Sequence, residues 1–262
     1  MKDTVFIKWG GAVITNKASV REPNIAVIRQ LGMEVKSLLS DYNVLLGHGS
    51  GSFGHWAAKE YEHLKKANPR EYAAKVHAVA AELNQIVLSE LVNLGIPAFQ
   101  FPPSAIIFSN DDHPSRLCLG ALTEVLRHGY LPVTYGDAVP DGKRGGTIFS
   151  TERVFFTLNP VLKPKRIILI TSVDGVYTAD PLIHPDAERI PEITPETFKD
   201  IREYIGGAQG VDVTGGMLTK VETMLALVQT SPWLDAVVIT SAEEGHMTRA
   251  ARGKKVGTVI HL

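Results

Sequence analysis

Apolar residues in this chain fall into two alternating patterns. Short, β-branched runs are apolar on consecutive positions: Thr4 to Lys8, Val44 to Gly47, Ala98 to Phe101, Leu131 to Tyr135, Arg166 to Thr171, Ala236 to Thr240 and Gly257 to Ile260. Such runs predict strands covered on both faces. Longer segments between them repeat every three or four positions. Pro23 to Ser40 carries Ile25, Ile28, Leu31, Val35 and Leu38; Pro69 to Leu94 carries Tyr72, Val76, Val79, Ala80, Leu83 and Val87; Gly216 to Thr230 carries Met217, Val221, Met224, Leu225 and Val228. Each set predicts a helix with one face for a sheet. Strands and helices in alternation imply an α/β fold with a mostly parallel sheet and helices on both sides. No repeat, low-complexity linker or composition shift divides the chain, so residues 1–262 read as one domain. Its softest joint is expected at Asn159 to Lys165, where Pro160 and Pro164 flank a short segment, giving halves of about 1–160 and 161–262.

Two predicted strands run directly into glycines. Lys8-Trp9-Gly10-Gly11 follows the first, and Gly47-His48-Gly49-Ser50-Gly51-Ser52-Phe53-Gly54-His55 follows the second. Glycines at strand ends bring bare N–H groups close to a ligand. With a lysine in one turn and histidines in the other, the ligand expected is an anion, phosphate first. Lys8 stands where ligands of parallel sheets bind, at the carboxyl end of a strand. His55 and Lys220 both fall near the predicted start of a helix, where a cation is disfavoured unless an anion sits beside it. Asp212-Val213-Thr214-Gly215-Gly216 leads into Lys220 and suits a second phosphate contact. Thr171-Ser172-Val173-Asp174-Gly175-Val176-Tyr177 could line a nucleotide pocket or simply turn. Structural readings suit His48, beside the strand end, and Asp111-Asp112-His113, a surface turn. Phe99, Phe101, Ile106, Ile107 and Phe108 fit the core better than a pocket.

Composition narrows the function. Basic and acidic side chains number 27 and 28, which argues against nucleic-acid or anionic-membrane partners. One cysteine, Cys118, excludes an internal disulfide and fits a reducing compartment. The amino terminus does not read as a signal peptide, and no apolar stretch approaches the ~20 residues of a membrane span, so a soluble cytoplasmic protein is expected. Gly49 to Gly54 also fits G-x-G-x-x-G, the fingerprint of a nicotinamide-dependent oxidoreductase, but the region after it reads as helix rather than strand. No P-loop, protein-kinase motif or G-x-S-x-G elbow is present.

The order of these motifs resembles the amino-acid-kinase superfamily and, within it, the isopentenyl phosphate kinases. The resemblance runs through Lys8 to Lys17, His48 to His55, Pro132-Val133-Thr134-Tyr135-Gly136-Asp137, Asp174 to Pro181 and Asp212 to Met217. It implies a three-layer αβα sandwich in a homodimeric, cytoplasmic kinase. Such an enzyme would use ATP, with Mg²⁺ bridging the phosphates, to convert isopentenyl phosphate to isopentenyl diphosphate. Carried over by position, Lys8, Gly10, Gly11 and Gly51 meet the ATP phosphates. Gly216 and Lys220 hold the nucleotide from the other side, with Asp174 and Tyr177 near its sugar and base. Lys17 reaches the transferred group, and Ser50 and His55 grip the acceptor phosphate. The amino-terminal half becomes the acceptor half and the carboxyl-terminal half the nucleotide half. There are two departures. Trp9 replaces a usual leucine, and Ser150-Thr151-Glu152 stands where the family shows Ser-Gly-Asp, putting Thr151 at a glycine that contacts the acceptor. A sister kinase for another phosphate or phosphonate, as in fosfomycin kinases, therefore remains an alternative, as does a catalytically silent nucleotide sensor.

Overall fold

The computed structural model describes residues 2–16, 18–206 and 216–262. The chain opens with β1 (Thr4–Trp9), α1 (Gly11–Ile14), α2 (Ile25–Leu38), β2 (Asn43–His48), α3 (Gly51–Glu60), α4 (Leu64–Ala67), α5 (Pro69–Asn93) and β3 (Ala98–Gln100). It continues through α6 (Pro103–Ile106), β4 (Ile107–Asn110), β5 (His113–Leu117), α7 (Gly120–Arg127), β6 (Leu131–Tyr135), β7 (Asp137–Asp141), β8 (Gly145–Phe149) and α8 (Thr151–Leu162). The remainder comprises β9 (Arg166–Thr171), β10 (Val176–Tyr177), β11 (Arg189–Ile190), β12 (Glu192–Ile193), α9 (Pro195–Gly206), α10 (Gly216–Thr230), β13 (Ala236–Ser241), α11 (His246–Ala251) and β14 (Thr258–Ile260).

Eight strands form the central sheet in the order β12-β14-β13-β9-β1-β2-β6-β3. All of its pairs are parallel except β13–β14. The expected αβα sandwich is present. Side chains alternate across β1: Val5, Ile7 and Trp9 enter a core with α2, α3, α5 and α11, while Phe6 enters a second core with α7, α8 and α10. Lys8 shares the Phe6 face, which turns it toward α8 and α10. Trp9, the residue that departs from the family's leucine, is fully buried and fills the core beneath the turns.

Details differ from the sequence expectations. Residues up to Leu162 are helix: Val154, Phe155 and Leu158 form a buried stripe, and Pro160 sits in the last turn of α8. The break falls just beyond it, at Lys163, which takes a left-handed conformation. The expected strand near Gly257 forms as β14 but runs antiparallel to β13. A second, four-stranded sheet, β5-β4-β7-β8, packs against α5. Phe101, Ile106 and Ile107 do join a core, but Phe99 and Phe108 are exposed.

Candidate active site

β1 and β2 lie side by side, so the glycine turns that follow them meet at the carboxyl end of the sheet. The first is tied to β9 by the Gly10 N–H donating to the Ile170 carbonyl at 2.8 Å, the second to β1 by Gly49 N–H donating to Trp9 at 2.9 Å. Backbone then packs directly on backbone. A Cβ on Gly11 would lie 2.2 Å from the Gly51 nitrogen. Gly51 also needs glycine for its φ of +48°, and a Cβ there would meet the Thr15 hydroxyl oxygen at 2.1 Å. Thr15 joins the turns by donating to the Gly11 carbonyl at 2.7 Å and accepting from the Ser52 N–H at 3.0 Å. The N–H groups of Gly11, Ala12, Ser50 and Gly51 make no hydrogen bond among the described residues. Neither Gly10 before α1 nor Ser50 before α3 caps its helix with a side chain. Bare donors concentrated at one spot form a seat for anionic oxygen.

Charge is added from the opposite face. The Lys8 ammonium meets the Glu152 carboxylate at 2.5 Å, with only 11% and 15% of the two side chains exposed. Burial alone would raise the Glu152 pKa. The charges of Lys8 and Lys220, with the Lys8 hydrogen bond, outweigh burial and hold the carboxyl below its ordinary value. Glu152 thus gathers two lysines from β1 and α10 beside the turns. His55 is exposed on α3 and makes no hydrogen bond or ion pair among the described residues. The helix begins at Gly51, so His55 lies in its second turn rather than at the expected start.

The sequence profile of the amino acid kinase family matches residues 3–241. The chain belongs to the amino acid kinase family. It is 34% identical to the isopentenyl phosphate kinase of Methanothermobacter thermautotrophicus over 268 residues, covering 98% of each chain. It is 30% identical to that of Thermoplasma acidophilum, covering 85% of this chain and 86% of the relative. A solved isopentenyl phosphate kinase structure superimposes with a TM-score of 0.79 at 30% identity, covering 98% of this chain and 99% of that one.

In this amino acid kinase, Lys8, Gly10, Gly11, Ser50 and Gly51 come together where β1 and β2 end, and His55 lies one turn further along α3. Lys220 approaches them from α10, whose first residue is Gly216. Lys17 and the segment Asp212 to Gly215 lie outside the described residues. Thr151 is 1% exposed, and its hydroxyl donates to the His48 carbonyl at 2.7 Å, so it serves as a clasp between α8 and β2. Asp174 is engaged within the protein: it accepts from the Thr240 hydroxyl at 2.6 Å, lies 3.0 Å from His246 Nδ1 and pairs with Arg189. Tyr177 is half-buried on β10. Sequence reasoning missed Glu152 as a functional residue, although its place in the departing Ser150-Thr151-Glu152 motif marked it. His48 is buried as expected, and Asp111-Asp112 does form a turn between β4 and β5.

Proposed function

We propose that this kinase transfers the γ-phosphoryl group of ATP to isopentenyl phosphate, yielding isopentenyl diphosphate and ADP. The observation that carries the reading is the pair of interlocked glycine turns with uncommitted N–H donors, flanked by Lys8 and Lys220 on Glu152 and by uncommitted His55. Phosphoryl transfer asks mainly for alignment and for neutralisation of charge on the moving group. Lys8, Lys220 and the N–H groups of Gly11 and Gly51 would meet the ATP oxygens. The segment carrying Lys17 follows α1, and we assign Lys17 to the moving phosphoryl group. Ser50 and His55 would hold the acceptor phosphate. A phosphate monoester loses its second proton near pH ~6 and is already nucleophilic at neutral pH, so the site needs no general base. Mg²⁺ would enter on the ATP oxygens and share their charge. Among the described residues no group of three or more His, Cys, Asp or Glu side chains gathers to hold a metal.

In this reading residues 1 to about 160 form the acceptor half and residues from about 161 to 262 the nucleotide half, joined where β1 pairs with β9. Asp174 and Tyr177 would stand near the nucleoside, Asp174 by shaping the end of β9 rather than by a free carboxylate. We also assign the protein to a cytoplasmic homodimer acting in isoprenoid biosynthesis. No described helix is long and apolar enough to cross a membrane. The Thr151 side chain, which had kept a different acceptor in view, is turned into the protein, and its methyl group lies against Gly47. The oxidoreductase reading loses support because α3, α4 and α5 separate the glycine turn from the next strand.

The test is an acceptor panel with ATP, read by ADP release: isopentenyl phosphate, fosfomycin, glutamate and UMP. Isopentenyl phosphate should give the highest kcat/KM. His55→Ala should lower that value by at least about tenfold, since a charge-assisted hydrogen bond is lost, while the KM for ATP stays nearly constant. Faster turnover of another acceptor, or unchanged kinetics in the variant, would defeat the assignment.

A further inference from the structure

The segment His48-Gly49-Ser50 is pinned at every backbone group but one. The His48 carbonyl accepts from the Gly136 N–H at 3.0 Å and from the Thr151 hydroxyl at 2.7 Å. The Gly49 N–H donates to Trp9. The Gly49 carbonyl lies 3.1 Å from Nδ1 of the His48 ring, which is 1% exposed and stacks on Tyr135 with centroids 5.5 Å apart. In a trans peptide the C=O and the N–H point in opposite directions. Drawing the Gly49 carbonyl onto the ring therefore turns the Ser50 N–H the other way, and that N–H has no partner among the described residues.

The protonation of the ring follows from its surroundings. Burial pushes the His48 pKa down and Lys8 adds to this, against weaker support from Gly49 and Asn84, so the ring is neutral. Its nitrogens face two oxygens, the Gly49 carbonyl and Asn84 Oδ1 at 3.2 Å. A neutral imidazole donates from one nitrogen and accepts at the other. A backbone carbonyl can only accept, so Nδ1 carries the proton and Nε2 accepts. Asn84 must then turn its amide over, presenting Nδ2 to the ring and Oδ1 to Gln100, whose amide turns with it so that Nε2 donates across their 3.0 Å contact. The result is a directed relay running from Gln100 on the edge strand through Asn84 on α5 to the glycine turn.

We propose that His48 is a positioning residue whose Nδ1–H fixes the Gly49–Ser50 peptide so that the Ser50 N–H faces the phosphate of the acceptor. This rests on the acceptor assignment made above. His48→Phe keeps an aromatic ring against Tyr135 but removes both nitrogens, whereas His48→Asn returns an N–H near the position of Nδ1. In His48→Phe the KM for isopentenyl phosphate should rise by roughly tenfold or more, the cost of one misdirected hydrogen bond to a charged group, with the KM for ATP changing much less. His48→Asn should recover most of the loss. An acceptor KM that does not rise, a parallel rise in both constants, or no recovery in His48→Asn would overturn the proposal.

A second measurement needs no variant. The ¹⁵N shifts of the His48 ring in the wild-type protein should show a protonated Nδ1 and a bare Nε2. A proton on Nε2, alone or together with one on Nδ1, would also overturn the proposal. Wild-type turnover of isopentenyl phosphate judges the acceptor assignment separately. If that turnover is absent, the assignment fails while the ring measurement still judges how the turn is held.

Discussion

Replacing Glu152 by glutamine removes the carboxylate that lies 2.5 Å from the Lys8 ammonium and leaves the shape of the side chain almost unchanged. At that distance the attraction is about 7 kcal/mol with an effective dielectric constant near ~20. Desolvation of both groups offsets most of it, so the pair itself adds little net stability. Breaking it is a different matter, because the ammonium stays largely buried without a counter-charge. The expected loss is about 3–5 kcal/mol, as for other buried pairs that lose one member. For a chain of this size that corresponds to a fall in Tm of roughly 10 °C. Lys220 adds to the loss, since Glu152 also balances its charge. Bound ATP brings oxygen anions to the same place, so ATP should raise the Tm of Glu152→Gln by more than it raises that of the wild type. Thermal melts of both proteins with and without ATP test this. A variant within about 2 °C of the wild type, with equal ATP increments, would refute the reasoning, since the shift expected is several times that size.

The same pair sets a pH dependence. An unfolded Glu152 titrates near 4.5 and the folded one lower, so its contribution is complete above that value and lost as the pH falls through the folded pKa. The stability gap between wild type and Glu152→Gln, measured in urea, should be widest near neutrality and narrow in acid. Gly51→Ala places a methyl group 2.1 Å from the Thr15 hydroxyl and 2.4 Å from the Gly11 carbonyl at positive φ, so both turns must shift. Turnover should fall on the order of a hundredfold, as expected for small displacements of reacting groups, and unchanged steady-state kinetics would show that the turns do not form the phosphate seat. Asp141 accepts from the backbone N–H groups of Asp111, Asp112, Lys143 and Arg144, joining two hairpin turns of the smaller sheet. Asp141→Ala should cost about 3 kcal/mol or more in urea unfolding, and a loss below ~1 kcal/mol would mean that water replaces the carboxylate without penalty.

Elements covered on both faces were legible because burial leaves its mark on every position. β1, β2, β6, β9 and β13 were found within a residue or two at each end. The smaller sheet was not, since β5 is exposed along nearly its whole length and β8 begins Gly145-Gly146, neither of which offers alternation to read. Pro160 masked α8 because a proline signals a break, yet in a last turn it removes only one hydrogen bond. The glycine turns were legible for the opposite reason: their chemistry is local, spelled out in consecutive residues. The Lys8–Glu152 pair spans 144 positions, and no local spacing could join its members. His48 was read as structural from its place beside the strand end. Its link to Asn84 depends on α5 passing beside β2, which only the packed fold supplies.

A catalyst that seats two polyanions must also release two product anions after each cycle. Among the described residues, the Glu152 carboxylate stands with the charges of Lys8 and Lys220 beside the turns, so part of their positive charge is balanced before any nucleotide arrives. In the proposed reaction Glu152 would thereby limit how tightly ADP is retained. Exchange of spent for fresh nucleotide would be eased by an acid the protein carries within itself, at the expense of some affinity.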